Sequence, residues 1–519
     1  MKLEKVDFDK TNQFAQIFLD YLHQKPSIQP FYHREPTIES FREQIKSKQL
    51  SEKSRKILSE QLKTQYKGLE ISTAVEGNVL ALKESNTFTI TTGHQLNIFT
   101  GPLYFVYKIV SVINTCRELK KEYPDYNFVP IYWMASEDHD FKEINHFRLN
   151  GKKITWNSDQ KGAVGRFNPS GLTEICRDTP GIPDFFEHAY RNHETLAGAV
   201  RDYVNTLFGE YGLVVIDGDD AQLKSLFTEI ITDDLKTHQA NKLVEAQSAQ
   251  LAKSGYKTQV FPREINLFYL RDNLRERIVR EGDNFRVLET ELTFSMDEIE
   301  QEVQKHPERF SPNVILRPLY QEVILPNLAY FGGPGEMAYW LQLKTVFEHY
   351  EVPFPILMPR NFALIIRHDI KRKMDKAGLT LPDLFKPKHM LLKELAVAHA
   401  KNDIHLNGQK ESILTLFDKI KGMAESIDPT LRPHVEAQQT IIANKLDNIQ
   451  KKFIRAEKKN QSDRMRQAED VLDQLFPGGV PQERSDNFLN FFLSDASFIE
   501  QLINYFEPFD FRFNVFIDG

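Results

Sequence analysis

Apolar residues run unbroken in three short stretches of this chain, and each stretch empties into a polar cluster. The run Thr87-Phe88-Thr89-Ile90-Thr91 breaks into Thr92-Gly93-His94-Gln95. Phe128-Val129-Pro130-Ile131-Tyr132-Trp133-Met134 leads to Glu137-Asp138-His139-Asp140, and Leu213-Val214-Val215-Ile216 to Asp217-Gly218-Asp219-Asp220. Between the first two lies a helical pattern carrying Tyr107, Lys108, Val112 and Ile113. Continuous apolar runs alternating with helical periodicity predict buried parallel strands joined by crossover helices. Ligands of such sheets sit where the carboxyl ends of strands meet the next helix, so the first two clusters are the expected active site.

The flanking pattern fills in the rest. Residues 38–66 read as one or two amphipathic helices, residues 142–210 as an insertion between strands, and residues 223–252 as a further helix. After a strand at 267–270, a charged insertion of hairpin character spans 274–310. Gly332-Gly333-Pro334-Gly335 continues no regular element and marks a tight loop, and a last strand at 354–358 ends at Pro359-Arg360-Asn361. From residue 391 to 475 nearly every residue is a helix former. Val435, Ile442, Leu446, Ile449 and Phe453 step by seven, four, three and four, a heptad seam for helix pairing or dimerisation. The expected organisation is an α/β core over 1–375, a helical coiled-coil domain over 376–475, and a segment over 476–519 that packs back on the core.

Composition narrows the class. Apolar residues are 41%, charged residues 27%, and a net charge of −7 over 519 residues gives no global argument for nucleic acid or membrane. Two cysteines, Cys116 and Cys176, are too few for a disulfide framework or a cysteine-built zinc site. With a charged N-terminus and no run of eighteen apolar residues, the expectation is a cytoplasmic protein.

Chemistry concentrates in a few residues. His94 follows Gly93 at a predicted strand-to-helix turn and is a candidate catalytic residue, placed to hold an anion together with the start of the following helix. In the second cluster Asp138, His139 and Asp140 are candidates for acid–base work, because carboxylates and an imidazole beside a buried strand are costly unless paired or facing a ligand. Gln95, Gly101, Tyr104, Glu137, Gly333 and Glu336 border the same predicted crevice, and Lys108, Arg317 and Arg360 are candidate grips for carboxylate or phosphate. Asp217, Asp219 and Asp220 read equally as ribose or Mg²⁺ ligands and as a turn with a helix cap. No Walker A loop, Gly-x-Gly-x-x-Gly, Gly-x-Ser-x-Gly or His-Glu-x-x-His occurs, which argues against a P-loop ATPase, a nicotinamide dehydrogenase, an α/β-hydrolase and a zinc enzyme of that type.

Taken together, Thr92-Gly93-His94-Gln95, Phe99-Thr100-Gly101-Pro102-Leu103-Tyr104, Glu137-Asp138-His139-Asp140-Phe141, Asn266-Leu267-Phe268-Tyr269, Gly332-Gly333-Pro334-Gly335-Glu336, Pro359-Arg360-Asn361 and Gln482-Glu483-Arg484 resemble the BshC family of bacillithiol synthesis along essentially the whole chain. The resemblance implies a Rossmann-like core akin to class I nucleotidyltransferases, with connecting insertions and a coiled coil that forms a homodimer. It implies a ligase that joins the carboxyl of cysteine to the amine of glucosaminyl-malate; forming that amide needs activation, most simply by ATP, with Mg²⁺ as a candidate companion. It also implies an ADP site near Gly478, Gly479, Gln482, Glu483 and Arg484. Two departures stand out: His94 occupies a position where the family usually has Gln, and the His-x-Gly-His motif of nucleotidyltransferases is absent. The alternatives are a non-catalytic nucleotide-binding scaffold for the pathway and a transferase acting on a related amino sugar.

Overall fold

In the computed structural model, which describes residues 2–400 and 404–518, five parallel strands form the centre of the molecule. Numbered along the chain within this sheet, they are β1 (Thr87–His94), β2 (Asn127–Met134), β3 (Val214–Asp217), β4 (Asn327–Gly332) and β5 (Ile356–Pro359). Their spatial order is β5-β4-β1-β2-β3, and every pairing is parallel. The chain therefore winds outward from β1 to one edge and returns to start again at β4. That is the doubly wound arrangement, and its switch point lies between β1 and β4.

Each strand is covered on both faces, which is why it reads as a continuous apolar run rather than an alternating one. The threonines of β1 are the exception in composition and are fully bonded. Thr89 and Thr91 donate to Asn327 Oδ1 at 3.2 and 2.8 Å, and Thr92 donates to the Phe331 carbonyl at 2.9 Å, so hydroxyls stitch the switch point together. The 19-residue helix α1 (Tyr104–Glu122) crosses from β1 to β2. The amphipathic stretch before β1 forms two helices, Ser40–Ser47 and Glu52–Gln65, separated where Ser51 caps the second. Arg55 of the second helix is buried, and its Nη1 binds the carbonyls of Leu82, Glu84 and Thr87, which fixes the entry into β1.

The segment expected as one helix over 223–252 is three α-helical pieces and a 3-10 turn, with the long ones broken at His238, a left-handed residue with φ of 53°. Nothing in the local composition announces that break, since only glycine advertises such a backbone. The strand near 267 joins the inserted hairpins instead of the parallel sheet. Leu267–Arg271, Leu274–Glu281, Asn284–Val287, Thr293–Phe294 and Phe310–Pro312 make a separate antiparallel sheet.

Beyond β5, the strand Ala363–Ile366 runs parallel to Arg512–Ile517, which pairs antiparallel with Lys2–Asp7. The helical region then forms a hairpin of α2 (Asn407–Ile427) and α3 (Arg432–Asn460), followed by α4 (Ser462–Leu475). Ion pairs Lys410–Asp447 and Arg432–Glu425 fix the antiparallel register of α2 and α3. Of the expected seam, Val435, Ile442 and Leu446 are half-buried, while Ile449 and Phe453 remain exposed. On α2, Leu416, Ile420, Met423 and Ile427 step by four, three and four and face solvent, Ile427 at 77% exposure. This second stripe escaped the sequence reading. Among the described residues, no helix is long and apolar enough to cross a membrane.

Candidate active site

A cavity of about 640 Å³ opens at the carboxyl ends of β1, β2 and β4. Gly93, His94 and Gln95 line it from β1, Glu137, Asp138 and His139 from the end of β2, and Tyr330 with Glu336 from β4 and the helix after it. The two clusters that the sequence marks therefore meet across one crevice. Gln95 Nε2 ties them directly, donating to Asp138 Oδ2 at 3.1 Å. The volume lies within the range of small-molecule sites.

β1 runs on through His94, so the histidine ends the strand rather than sitting in a strand-to-helix turn. α1 begins ten residues later, at Tyr104. The sequence reading stopped the strand at Thr91 because Gly93 and His94 look like a loop. Gly93 has a different cause: a Cβ there would stand 3.1 Å from the Tyr330 hydroxyl and 3.6 Å from Arg317 Nη1. The loop between β1 and α1 passes through Phe99, Thr100 and Gly101, all at positive φ. Asn487 of the C-terminal segment holds that backbone by donating to the carbonyls of Phe99 and Gly101 at 2.7 and 2.6 Å. Gly101 thus serves the turn, packed against the Asn97 side chain, and does not line the cavity.

Charge in the cavity is mostly paired. Lys108, 2% exposed, binds Glu336 Oε2 at 2.6 Å and the Gly93 carbonyl at 2.8 Å. Glu336 also accepts from the Gly333 amide at 2.9 Å and the Tyr330 hydroxyl at 2.8 Å. Burial pushes the Glu336 carboxyl up, but Lys108 and these donors hold it below its usual range. Arg317 differs: Nη2 donates to the Tyr339 hydroxyl at 2.9 Å, while Nη1 is buried with no hydrogen-bond partner among the described residues. A buried donor left unpaired in a ligand-sized cavity is the natural place for an anionic oxygen.

His94 is buried, and burial together with Lys108 and Arg360 pushes its pKa well below the ordinary imidazole value. Its Nε2 lies 3.2 Å from the Asn97 amide nitrogen, which donates to it. His94 is therefore neutral and offers its ring dipole to an anion, with no ring charge. Tyr104, packed at 5.2 Å from that ring, has its hydroxyl pushed up to about 12 by burial and by Glu336.

Burial works against ionisation of Asp138, yet hydrogen bonds from His139 and Gln95 and the charge of Arg275 hold it well below the usual carboxylate range. Its Oδ1 accepts the His139 backbone amide at 2.7 Å, so this carboxylate is an acceptor already in use. Asp140 is exposed, stands at the N-cap position of the helix Phe141–Ile144 without making a cap bond, and does not line the cavity. Glu137 is buried and binds Lys224 at 2.5 Å. Burial and nearby Asp219 raise its pKa against the pull of Lys224.

The third cluster is structural. Asp220 caps the next helix through the amides of Gln222 and Leu223, Asp217 takes the Asp219 amide, and Asp219 is gripped by Arg166 at 2.8 and 3.0 Å.

Arg360 and Glu483, expected to hold ligands in two different places, hold each other. The pair is 2% and 1% exposed, with Arg360 Nη2 at 2.5 Å and Nη1 at 3.0 Å from the two carboxylate oxygens. Arg360 also packs under Tyr104 at 5.1 Å, and Gly333 lies beside it. Gln482 is occupied by the Ile365 backbone, its Oε1 accepting from the amide at 3.0 Å, and Arg484 and Gly479 are exposed. Gly478 and Gln482 border a second cavity of about 470 Å³, with Arg148 and Arg367 on its wall.

Residues the sequence reading missed come from the inserted antiparallel sheet and the elements flanking it. Arg263, Phe268, Arg275, Arg277 and Asn313 form the wall opposite the parallel sheet. Two hydrogen bonds between Asn313 and Asn266, each of 3.0 Å, tie the loop carrying Arg263 to the helix that starts at Arg317. The string Asn266-Leu267-Phe268-Tyr269 was the available signal.

Comparison with known proteins adds a family to this geometry. The profile of the bacillithiol biosynthesis BshC N-terminal Rossmann-like domain matches residues 1–361, and that of the BshC C-terminal coiled-coil domain matches residues 363–517. A protein of Flavobacterium psychrophilum named "Putative cysteine ligase BshC" is 44% identical, over 97% of this chain and 96% of its own. Proteins of the same name from Flavobacterium johnsoniae and Cytophaga hutchinsonii are each 42% identical, covering 99% and 98% of both chains respectively.

Proposed function

This chain belongs to the bacillithiol biosynthesis BshC family, and from that premise we propose that it is a cysteine ligase, joining the carboxyl of L-cysteine to the amine of glucosaminyl-malate as an amide. The observation that carries the reading is the cavity at the switch point, where Arg317 offers an unpartnered donor a short distance from a carboxylate and imidazole cluster. The malate carboxylates belong against Arg317 and neutral His94. Glu137 is the group best suited to receive the proton that the attacking amine loses, since burial keeps its carboxylate basic. The carbonyl oxygen that gathers charge as the amine adds then needs a donor, and His139 lies within the same cavity.

Forming an amide from a free carboxylate requires activation, and ATP is the proposed source: its phosphoryl or adenylyl group would pass to the cysteine carboxylate and leave with that oxygen, as phosphate or AMP, when the C–N bond forms, with Mg²⁺ accompanying the phosphates. The family resemblance assigns a nucleotide to the region of Gly478 and Gln482. The cavity there supports that reading by the arginines Arg148 and Arg367 on its wall, which also carries Asp473 and Asp486, while Glu483 is committed to Arg360. Homodimerisation through the coiled coil is supported by the solvent-facing stripe on α2.

The test is mass spectrometry of a reaction containing the purified protein, glucosaminyl-malate, cysteine and ATP, with nucleotide products followed in parallel. The ligase reading expects the cysteinyl amide and stoichiometric nucleotide cleavage. Absence of product with or without ATP returns the scaffold reading, and product from another amino sugar alone returns the transferase reading.

A further inference from the structure

Arg275 stands on the inserted sheet, far in sequence from every strand-end cluster, yet its guanidinium enters the cavity wall. Nη1 lies 2.6 Å from His139 Nδ1 and 3.8 Å from Asp138 Oδ1. Nε donates to the Ser311 hydroxyl at 3.3 Å, and the guanidinium lies 4.0 Å from the centre of the Phe268 ring. That same phenyl ring packs at 5.7 Å from the His139 imidazole. Arg275 is 9% exposed, so charge, stacking and hydrogen bond fix it on three sides.

A guanidinium carries only N–H donors, so at this separation His139 Nδ1 must be the acceptor and the ring proton must sit on Nε2. The opposite tautomer would set two hydrogens against each other across the Arg275–His139 contact. Its Nδ1–H would have only a long 3.6 Å contact to Asp138 Oδ1 against the 2.6 Å approach of Arg275, and that oxygen already takes the His139 backbone amide. Nε2 lies on the other edge of a half-exposed ring that lines the cavity.

We propose that Arg275 is a positioning residue of the ligase reaction, holding His139 as the Nε2–H tautomer so that the ring donates a hydrogen bond to the carbonyl oxygen of the activated cysteine. The inserted sheet thereby sets the chemical role of a residue on the parallel sheet. His139 is a donor in this scheme, and the amine's proton goes elsewhere. Only the identity of the oxygen rests on the ligase reading; the tautomer does not.

The experiment is nitrogen NMR of the full-length chain carrying ¹⁵N-histidine, with the His139 signals assigned by their loss in His139→Gln. Wild type is expected to show Nε2 as a protonated, pyrrole-type nitrogen and Nδ1 as pyridine-type. Arg275→Met should release the ring to a mixture or to the Nδ1–H form, and Arg275→Lys, whose ammonium also only donates, should restore the wild-type pattern in part. In the amide-forming assay, Arg275→Met should lower kcat by about 10²-fold with KM for the glycoside little changed, as expected for loss of an aligned donor to developing charge. A wild-type Nδ1–H signal, or a pattern unmoved in folded Arg275→Met, overturns the proposal. If Arg275→Met fails to fold, the wild-type and Arg275→Lys spectra decide it alone. Because the spectra are taken on resting protein, a correct tautomer without any amide product would count against the ligase reading and leave the positioning claim standing.

Discussion

Replacing Arg317 by Met keeps an unbranched apolar stem at the start of its helix and removes the cavity's one buried cationic donor without a protein partner among the described residues. Lys108 cannot stand in, because Glu336 and the Gly93 carbonyl occupy it. Arg317 keeps one contact in the resting protein, Nη2 to the Tyr339 hydroxyl at 2.9 Å, so Nη1 is the group a substrate anion gains. A hydrogen bond to a charged group contributes about 1.5–3 kcal/mol, and at about 1.4 kcal/mol per decade its loss corresponds to roughly 10–150-fold. The assay is initial-rate kinetics with glucosaminyl-malate and with a glucosamine glycoside whose aglycone is neutral. Arg317→Met should lose that factor in kcat/KM on the malate glycoside, chiefly through KM, and far less on the neutral one. An equal loss on both substrates, or none on the malate glycoside, would refute the assignment of Arg317 to the carboxylate.

Removing Lys108 alone strands the Glu336 carboxylate, so Lys108→Met should destabilise the chain by about 3–5 kcal/mol in urea unfolding, and Lys108→Met with Glu336→Gln should recover much of it. Asp234 is buried, and burial raises its pKa to about 7 from 3.8 against two hydrogen bonds from Asn266. An acid raised on folding binds its proton more tightly in the native chain. Its contribution is therefore complete below the unfolded value and is lost as pH climbs toward 7. Relative to Asp234→Asn, wild type should thus lose about 2 kcal/mol between pH 5 and 7 in denaturation curves, and a constant difference would contradict this. Met423→Glu with Ile427→Glu places charges in the solvent-facing stripe of α2. Light scattering should then give the mass of one chain where wild type gives two, and an unchanged mass would remove the coiled-coil interface.

Four of the five parallel strands were legible because burial on both faces leaves an unbroken apolar run, but β4, which defines the switch point, was not, since Asn327 and Gly332 bracket only four apolar residues. What the sequence hid has physical causes. The end of β1 was obscured because Gly93 answers to the Tyr330 hydroxyl and Arg317 across the sheet rather than to a turn. Arg360 and Glu483 each looked like a ligand-binding residue, since a buried pair spanning 123 positions leaves no local trace. Arg275 sat in a charged hairpin pattern that reads as solvated surface, and only the fold turns that strand toward His139. Asp138 and Asp140, two residues apart, were weighed alike, yet one faces the cavity and the other solvent.

The central claim is that the crevice at the β1/β4 switch point receives the amino-sugar substrate. A crystal structure of the protein with glucosaminyl-malate tests it most directly. The account predicts density for the glycoside between β1 and the inserted sheet, with a malate carboxylate oxygen in hydrogen-bond range of Arg317 Nη1 and the sugar amine turned toward Glu137. Glycoside bound instead in the cavity beside Gly478 and Gln482, with the switch-point crevice left to solvent, would contradict it.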